Sequence, residues 1–403
     1  MPHAPNEVLI FDAVRTPRGK GREGGGLASI APQNLAKGLI DALERRNGPV
    51  ARAPDHFILG CVGQVGAQGG HIGLVVKLHA GLAEATSAWS LNNYCTSGLS
   101  AVSAAVDKVA AGNADIVLAG GMESMSRVPF LADNAAYYMD PTFSASLNYI
   151  PVALSADVLA HQEKVGRAEL DDVALHSHLK AGAAIAQGAA QQSLIPVTDA
   201  EGKVILTKDE YVRPQTTLDT LARYGVAFED LGKAYASVLK KAIGTDTIKH
   251  VHAVVHAPGV ADGAALALVG NAAAGAKLGL RARARVIAAA EAGGDPVLGL
   301  TAGRTAMDKV LTKAGLTLKD IDVIEYMEAF SVVPALLYRD HPDVREKTNL
   351  YGGHVARGHA LGATGGVLLS QLIDALETQG AKRGMVVTFA ASGIGSAMII
   401  ERV

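Results

Sequence analysis

The chain has 403 residues, 49% hydrophobic and 19% charged, with a formal net charge of −2. That composition excludes a disordered chain and gives no whole-chain signal for nucleic acid binding. Only two cysteines occur, Cys61 and Cys95, which could form one bond but not the framework of a small secreted domain. A reducing compartment, with the cytoplasm as default location, is the expectation.

Met1–Pro5 has no basic stretch leading into an apolar run, so no signal peptide is expected. Val8–Phe11 reads as a first strand and Asp55–Val62 as a second. Leu99, Val102, Ala105, Val106 and Val109 recur at helical spacing before a glycine stop at Gly112. Asp115–Gly121 lacks apolar/polar alternation and reads as a strand buried on both sides. From Met122 to His250 the pattern changes: Tyr137, Tyr138, Asn148 and Tyr149 mark a polar, aromatic stretch. Asp157–Ala190 reads as helical and Leu194–Pro214 as short strands and turns. An insertion of this size is long enough to cover a ligand site.

Val254–Gly270 returns to the first half. Arg281, Arg283 and Arg285 alternate with apolar residues and are expected on the solvated side of a strand start. Ala284–Ala288, Asp320–Met327, a helix from Gly366 to a stop at Gly380, and the strand Met385–Ala391 complete the chain. The apolar run Met385–Ile400 is broken by Gly, Ser and Thr, so it reads as buried strands and not as a membrane span.

The second set of elements repeats the first in order and pattern: Val8–Phe11 with Ala284–Ala288, Asp55–Val62 with Asp320–Met327, Asp115–Gly121 with Met385–Ala391. The expected architecture is α/β, two halves about a pseudo-twofold axis. Its expected divisions are 1–121 with 251–270, an inserted loop domain at 122–250, and 271–403.

Cys95, in Asn92-Asn93-Tyr94-Cys95-Thr96-Ser97-Gly98, stands just before a helix. The N–H groups and dipole of a helix start favour a thiolate, making Cys95 a candidate acyl-accepting nucleophile. A small buried residue packed at a helix start is the other reading of the same tract. No phosphate-cradling loop or metal-ligand spacing is present.

Several further tracts occur in a fixed order: Ala13-Val14-Arg15-Thr16-Pro17, Ala119-Gly120-Gly121-Met122-Glu123-Ser124, Asp262-Gly263-Ala264-Ala265, Glu328-Ala329-Phe330 and Gly358-His359-Ala360-Leu361-Gly362. With Cys95-Thr96-Ser97-Gly98-Leu99, the chain resembles the thiolase family from end to end, above all its degradative acyl-CoA acyltransferases. The resemblance implies two βαβαβαββ halves in a layered αβαβα core with a loop domain inserted in the first. It implies acyl transfer of the acetyl-CoA acetyltransferase or 3-ketoacyl-CoA thiolase type, with Cys95 as nucleophile and His359 as its base. Coenzyme A is then substrate and product, with no permanently bound cofactor and no metal. A homodimer or homotetramer is implied, and in some members a complex with other fatty-acid oxidation subunits. Backbone N–H groups beside Cys95 would form an oxyanion hole.

Four departures from the family pattern cluster at the expected site. Phe389 stands where thiolases carry the second cysteine that removes the α-proton of acetyl-CoA, followed by Ala391 and Ser392 in place of glycines. Met327 replaces an asparagine that holds an oxyanion-hole water. His256-Ala257-Pro258-Gly259 lacks a serine that contacts the CoA tail. His354 and Arg357 stand near His359, and Ala360 replaces a proline. Three readings stay open. In one, His354, His256 or Ser392 takes over proton transfer, with Ala391 and Met327 at the oxyanion positions. In the second, only acyl transfer, hydrolysis or decarboxylative condensation remains. In the third, the protein is a catalytically quiet CoA-binding subunit.

Overall fold

A computed structural model describes residues 7–189 and 191–403. The expectation for Met1–Pro5 and the last residue of the helical reading, Ala190, lie outside the described residues. In chain order the strands are β1 (Val8–Arg15), β2 (Gly19–Lys20), β3 (His56–Gly60), β4 (Ser87–Leu91), β5 (Ile116–Ser124), β6 (Val197–Thr198), β7 (Val204–Leu206), β8 (Ala261–Asn271), β9 (Ala284–Gly293), β10 (Val323–Tyr326), β11 (Arg383–Ala390) and β12 (Ile394–Arg402). The large sheet runs β10-β11-β12-β9-β1-β8-β5-β3-β4, with β2 pairing β8, while β6 and β7 pair separately.

The duplication is visible in the pairing. Outward from β1, β8 and β5 join antiparallel, then β3 and β4 parallel. Outward from β9, β12 and β11 join antiparallel, then β10 parallel, with a parallel bridge from Ile324 to Thr348 at the outer edge. The two series meet at two residue pairs, Leu9 with Arg285 and Ile10 with Ala284. The three strand pairs matched in the sequence fall on equivalent places.

Helices explain why the inner strands lack alternation. Ser97–Ala110 and Thr364–Gln379 touch strands of both series and each other, while Pro32–Asn47 covers β8 and β1, and Ala302–Ala314 covers β12 and β9. β5 is therefore buried along its whole length, and β11 everywhere but Arg383. Thr364–Gln379 is buried continuously from Thr364 to Leu376, as a helix inside a layered core must be. Both glycine stops adopt left-handed backbone, Gly112 at φ +72° and Gly380 at φ +62°.

The two central helices touch backbone to backbone at their first turns. A Cβ added at Gly98 would lie 2.7 Å from the Gly362 carbonyl oxygen, and one at Gly365 would lie 2.3 Å from the Leu99 nitrogen. Only glycine permits this approach.

Two expectations need correction. Asp157–Ala190 is not one helix: Val152–Gln162 and Arg167–Ala186 are separated by a turn. Arg283 is not on a solvated side either. It ion-pairs with Asp12 at 3.0 Å, Asp374 at 3.1 Å and Glu377 at 2.7 Å, tying the start of β9 to β1 and to the helix Thr364–Gln379. Neighbouring Arg285 bonds Glu7 and Glu401. Spacing along a strand cannot reveal that acids from three other elements converge there.

Candidate active site

Cys95 sits in a strand–turn–helix junction between β4 and the helix Ser97–Ala110. Tyr94, just before it, has φ +48°, a left-handed conformation that a tyrosine adopts only when its surroundings impose it. The turn is pinned locally. Asn92 Oδ1 accepts the Tyr94 N–H at 3.0 Å, Ser97 Oγ donates to the Tyr94 carbonyl at 2.6 Å, and Thr96 Oγ1 donates to the Asn93 carbonyl at 2.7 Å. Cys95 and Cys61 are both free thiols.

The Cys95 side chain is part-exposed to a cavity of about 200 Å³ and enclosed by protein elsewhere. That burial, with the Glu123 carboxylate nearby, pushes its thiol up to about 12, although its own backbone N–H pulls the other way. The expected lowering is therefore overturned: burial and the Glu123 charge outweigh the backbone N–H. At neutral pH the resting group is a thiol, and attack requires a proton acceptor.

His359 lines the same cavity. Its backbone is clamped on both sides, its N–H donating to the Gly259 carbonyl at 2.8 Å and its carbonyl accepting from Ala261 at 3.0 Å. Nδ1 lies 2.7 Å from Thr364 Oγ1. When the Thr364 hydroxyl donates onward to the Ala360 carbonyl, 3.4 Å away, it accepts from Nδ1–H. That tautomer leaves a lone pair on Nε2, which is buried with no protein partner. Burial first, then the Arg18 charge, lower the imidazole to about 3, so it is neutral at pH 7.

Glu123, next to the end of β5, belongs to the tract Ala119–Ser124, and the sequence alone assigns it no role. It accepts from Val62 and Gly63 N–H at 3.0 Å, from Gln68 Nε2 at 2.7 Å and from Gly362 N–H at 3.0 Å. It thereby joins the loop after β3 to the loop after His359. A carboxylate ending a wholly apolar strand was the available signal.

The remaining candidates divide. Ala391 and Ser392 line the cavity, and Ser392, at φ +59°, has its Oγ 2.7 Å from the Tyr137 hydroxyl. Phe389 also lines it, packed on Tyr326 with ring centroids 4.9 Å apart. Met327 lies beneath, fully buried, its Sδ accepting the Phe389 N–H at 3.4 Å. His354 does not face solvent. It is buried edge-on behind His359, rings 5.7 Å apart at 90°, and neither of its nitrogens has a partner. His256 is fully buried away from the cavity wall, with Nδ1 accepting from Ala253 N–H at 3.0 Å and Nε2 on Asp171 at 2.8 Å. Arg357 joins Arg15 and Arg18 around the Asp209 carboxylate, which those charges hold well below the usual range. Of the candidates, the polar side chains that the structure brings to one cavity are thus Cys95, His359 and Ser392.

A duplicated α/β fold with a thiol from one half and an imidazole from the other on one cavity defines a protein equipped for acyl transfer on a thiol. The thiolase N-terminal domain matches residues 8–240 and the thiolase C-terminal domain residues 280–402, and the chain belongs to the thiolase family. It is 36% identical to the beta-ketoadipyl-CoA thiolase of Pseudomonas knackmussii, over 98% of this chain and 99% of the relative. It is 31% identical to the acetyl-CoA acetyltransferase of Syntrophomonas wolfei over the same shares. The crystal structure of the Bacillus anthracis acetyl-CoA acetyltransferase superposes with a TM-score of 0.84 at 28% identity, covering 98% of this chain and 99% of that one.

Proposed function

We propose that this protein is a thiolase-type acyltransferase that takes acyl groups from coenzyme A thioesters onto Cys95. The observation that carries the reading is that Cys95 and His359, 264 positions apart in the sequence, line one cavity with a free imidazole nitrogen between fixed backbone clamps. Cys95 Sγ attacks the thioester carbonyl as its proton passes to His359 Nε2. The carbon–sulfur bond to coenzyme A then breaks, and the departing thiolate takes that proton. In the second half an acceptor attacks the acyl-enzyme and Cys95 recovers a proton. Because thiol and imidazole both rest neutral, proton transfer accompanies attack and no standing ion pair precedes it.

Phe389 on the cavity wall favours a second reading of that last half. A phenyl ring cannot take an α-proton from acetyl-CoA, so Ser392 assumes that role or the acceptor is a thiol, water or a carbanion formed by decarboxylation. Coenzyme A enters as the thioester and leaves as the free thiol in either case. A homodimer or homotetramer in the cytoplasm, and the three-part division 1–121 with 251–270, 122–250 and 271–403, belong to the same proposal.

The test is intact mass after incubation with acetyl-CoA or acetoacetyl-CoA. An adduct of one acyl group that disappears in Cys95→Ala is expected. No adduct with either thioester would favour the quiet CoA-binding subunit. Product analysis in the presence of free coenzyme A then separates carbon–carbon cleavage from simple transfer.

A further inference from the structure

Aromatic residues are scarce here: ten tyrosines, seven phenylalanines and one tryptophan in 403 residues. Four of those tyrosines, Tyr94, Tyr137, Tyr138 and Tyr149, line the Cys95 cavity. Three of the phenylalanines, Phe130, Phe330 and Phe389, do so as well. A chain that builds its core from aliphatic side chains has gathered over a third of its rings around one void.

The tyrosine rings pack edge to face: Tyr137 on Tyr149 with centroids 4.9 Å apart at 65°, and Tyr137 on Tyr138 at 6.3 Å and 65°. Two of their polar tips are already used by the protein. The Tyr137 hydroxyl bonds Ser392 Oγ and the Tyr138 hydroxyl bonds Asp133. What Tyr137 and Tyr138 offer a ligand is therefore ring surface. Among the described residues of the wall there is no lysine or arginine, and its carboxylates are Glu123 and Asp133. A terminal carboxylate on an acyl chain would enter without a cation to meet it and with acids already present. The volume fits a ring: an apolar cavity of about 150 Å³ in another protein takes benzene, and this one is about 200 Å³.

We propose that the cavity selects thioesters whose acyl group carries an uncharged aromatic ring, over linear chains of equal length and over dicarboxylyl chains. This rests on the reading of the cavity as the acyl-thioester site and deepens it. An aromatic acyl group gains edge-to-face contacts that an alkyl chain of similar area cannot, while a dicarboxylyl group loses the hydration of its carboxylate.

The experiment uses Cys95→Ala, which cannot be acylated, with Cys95→Ser in reserve should the alanine chain fail to fold. Calorimetric titration with phenylacetyl-CoA, hexanoyl-CoA and adipyl-CoA reads the preference. Phenylacetyl-CoA is expected to bind about fivefold tighter than hexanoyl-CoA, and adipyl-CoA at least about tenfold weaker than hexanoyl-CoA. In the same background, Phe130→Leu and Tyr138→Leu, both on partly exposed residues, are expected to bring the first ratio towards one. Equal or reversed affinities, or no binding of any thioester, overturn the proposal. Adduct formation on the wild-type chain with acetyl-CoA reports separately on the acyl-enzyme. Ring preference without any adduct would sink the nucleophile and keep the selectivity, and an adduct without ring preference would do the reverse.

Discussion

The Thr364 hydroxyl lies 2.7 Å from His359 Nδ1 and sits at the first position of the helix that crosses the one bearing Cys95. It decides which imidazole nitrogen is free. Thr364→Val keeps the shape and removes the acceptor, so either ring nitrogen can then carry the proton. The acylation rate constant is expected to fall about tenfold with thioester affinity unchanged, and Thr364→Ser should restore it. Rapid-quench mass measurement of the adduct, beside a binding titration, separates this positioning role from a packing defect.

Buried histidines make the fold sensitive to acid. His359 is lowered to about 3, and His178 and His256 to about 4, each mainly by burial, from an ordinary 6.5. Below 6.5 the unfolded chain takes up protons that the folded chain refuses until the lower values, so stability is lost as pH falls through that window. Glu325, buried with both oxygens unpartnered and raised to about 8, acts in the opposite sense. With His354, which burial also holds well below the ordinary value, four histidines against one glutamate leave a net loss of stability as pH falls from 6 to 5. Urea unfolding at pH 7.0, 6.0 and 5.0 checks it, and a flat midpoint would count against the burial of these rings.

Two glycines inside helices should respond oppositely to alanine. At Gly98 the new methyl group meets backbone of Gly362 and Gly366 at 2.7 and 3.0 Å, atoms that cannot rotate away. The overpacking, about 2 kcal/mol, exceeds the helix-propensity gain of about 1 kcal/mol, so Gly98→Ala destabilises. Gly38, in the helix Pro32–Asn47, has nothing within 4 Å of its added methyl group, and Gly38→Ala should stabilise by about 0.5–1 kcal/mol. Thermal unfolding of both variants supplies the comparison.

Glu123→Gln tests the carboxylate behind the nucleophile. A glutamine side chain keeps one acceptor oxygen and turns an amide nitrogen towards N–H groups that need an acceptor. Stability is expected to fall by about 2–3 kcal/mol. Removing the negative charge also lowers the Cys95 thiol, since that charge is one of the causes raising it. Alkylation of Cys95 at pH 8 should therefore quicken while the fold weakens, a pairing that simple loosening of Cys61 would not produce.

The duplicated halves and the candidacy of Cys95 were legible because both depend on local pattern, whereas His359 as its base came from the family resemblance. A glycine stop, an unalternating strand and a residue just before a helix can be read along a single stretch. What failed depends on partners supplied from elsewhere. His256 is held by Asp171, 85 positions earlier in the chain, a partner that no single stretch reveals. Arg283 looked solvated until three acids converged on it. The Cys95 thiol was expected low because a helix start is visible in sequence, whereas the enclosure that raises it is not.

The glycine crossing of Ser97–Ala110 with Thr364–Gln379 has a mechanical meaning. Where Gly98 meets Gly362 and Gly365 meets the Leu99 nitrogen, main chain lies against main chain, so the segments that carry sulfur and imidazole are joined at one tight crossing. The cavity's other flank, at Tyr137, Tyr138 and Tyr149, is built of side chains instead. New acyl preferences could evolve there, residue by residue, without disturbing the reacting atoms.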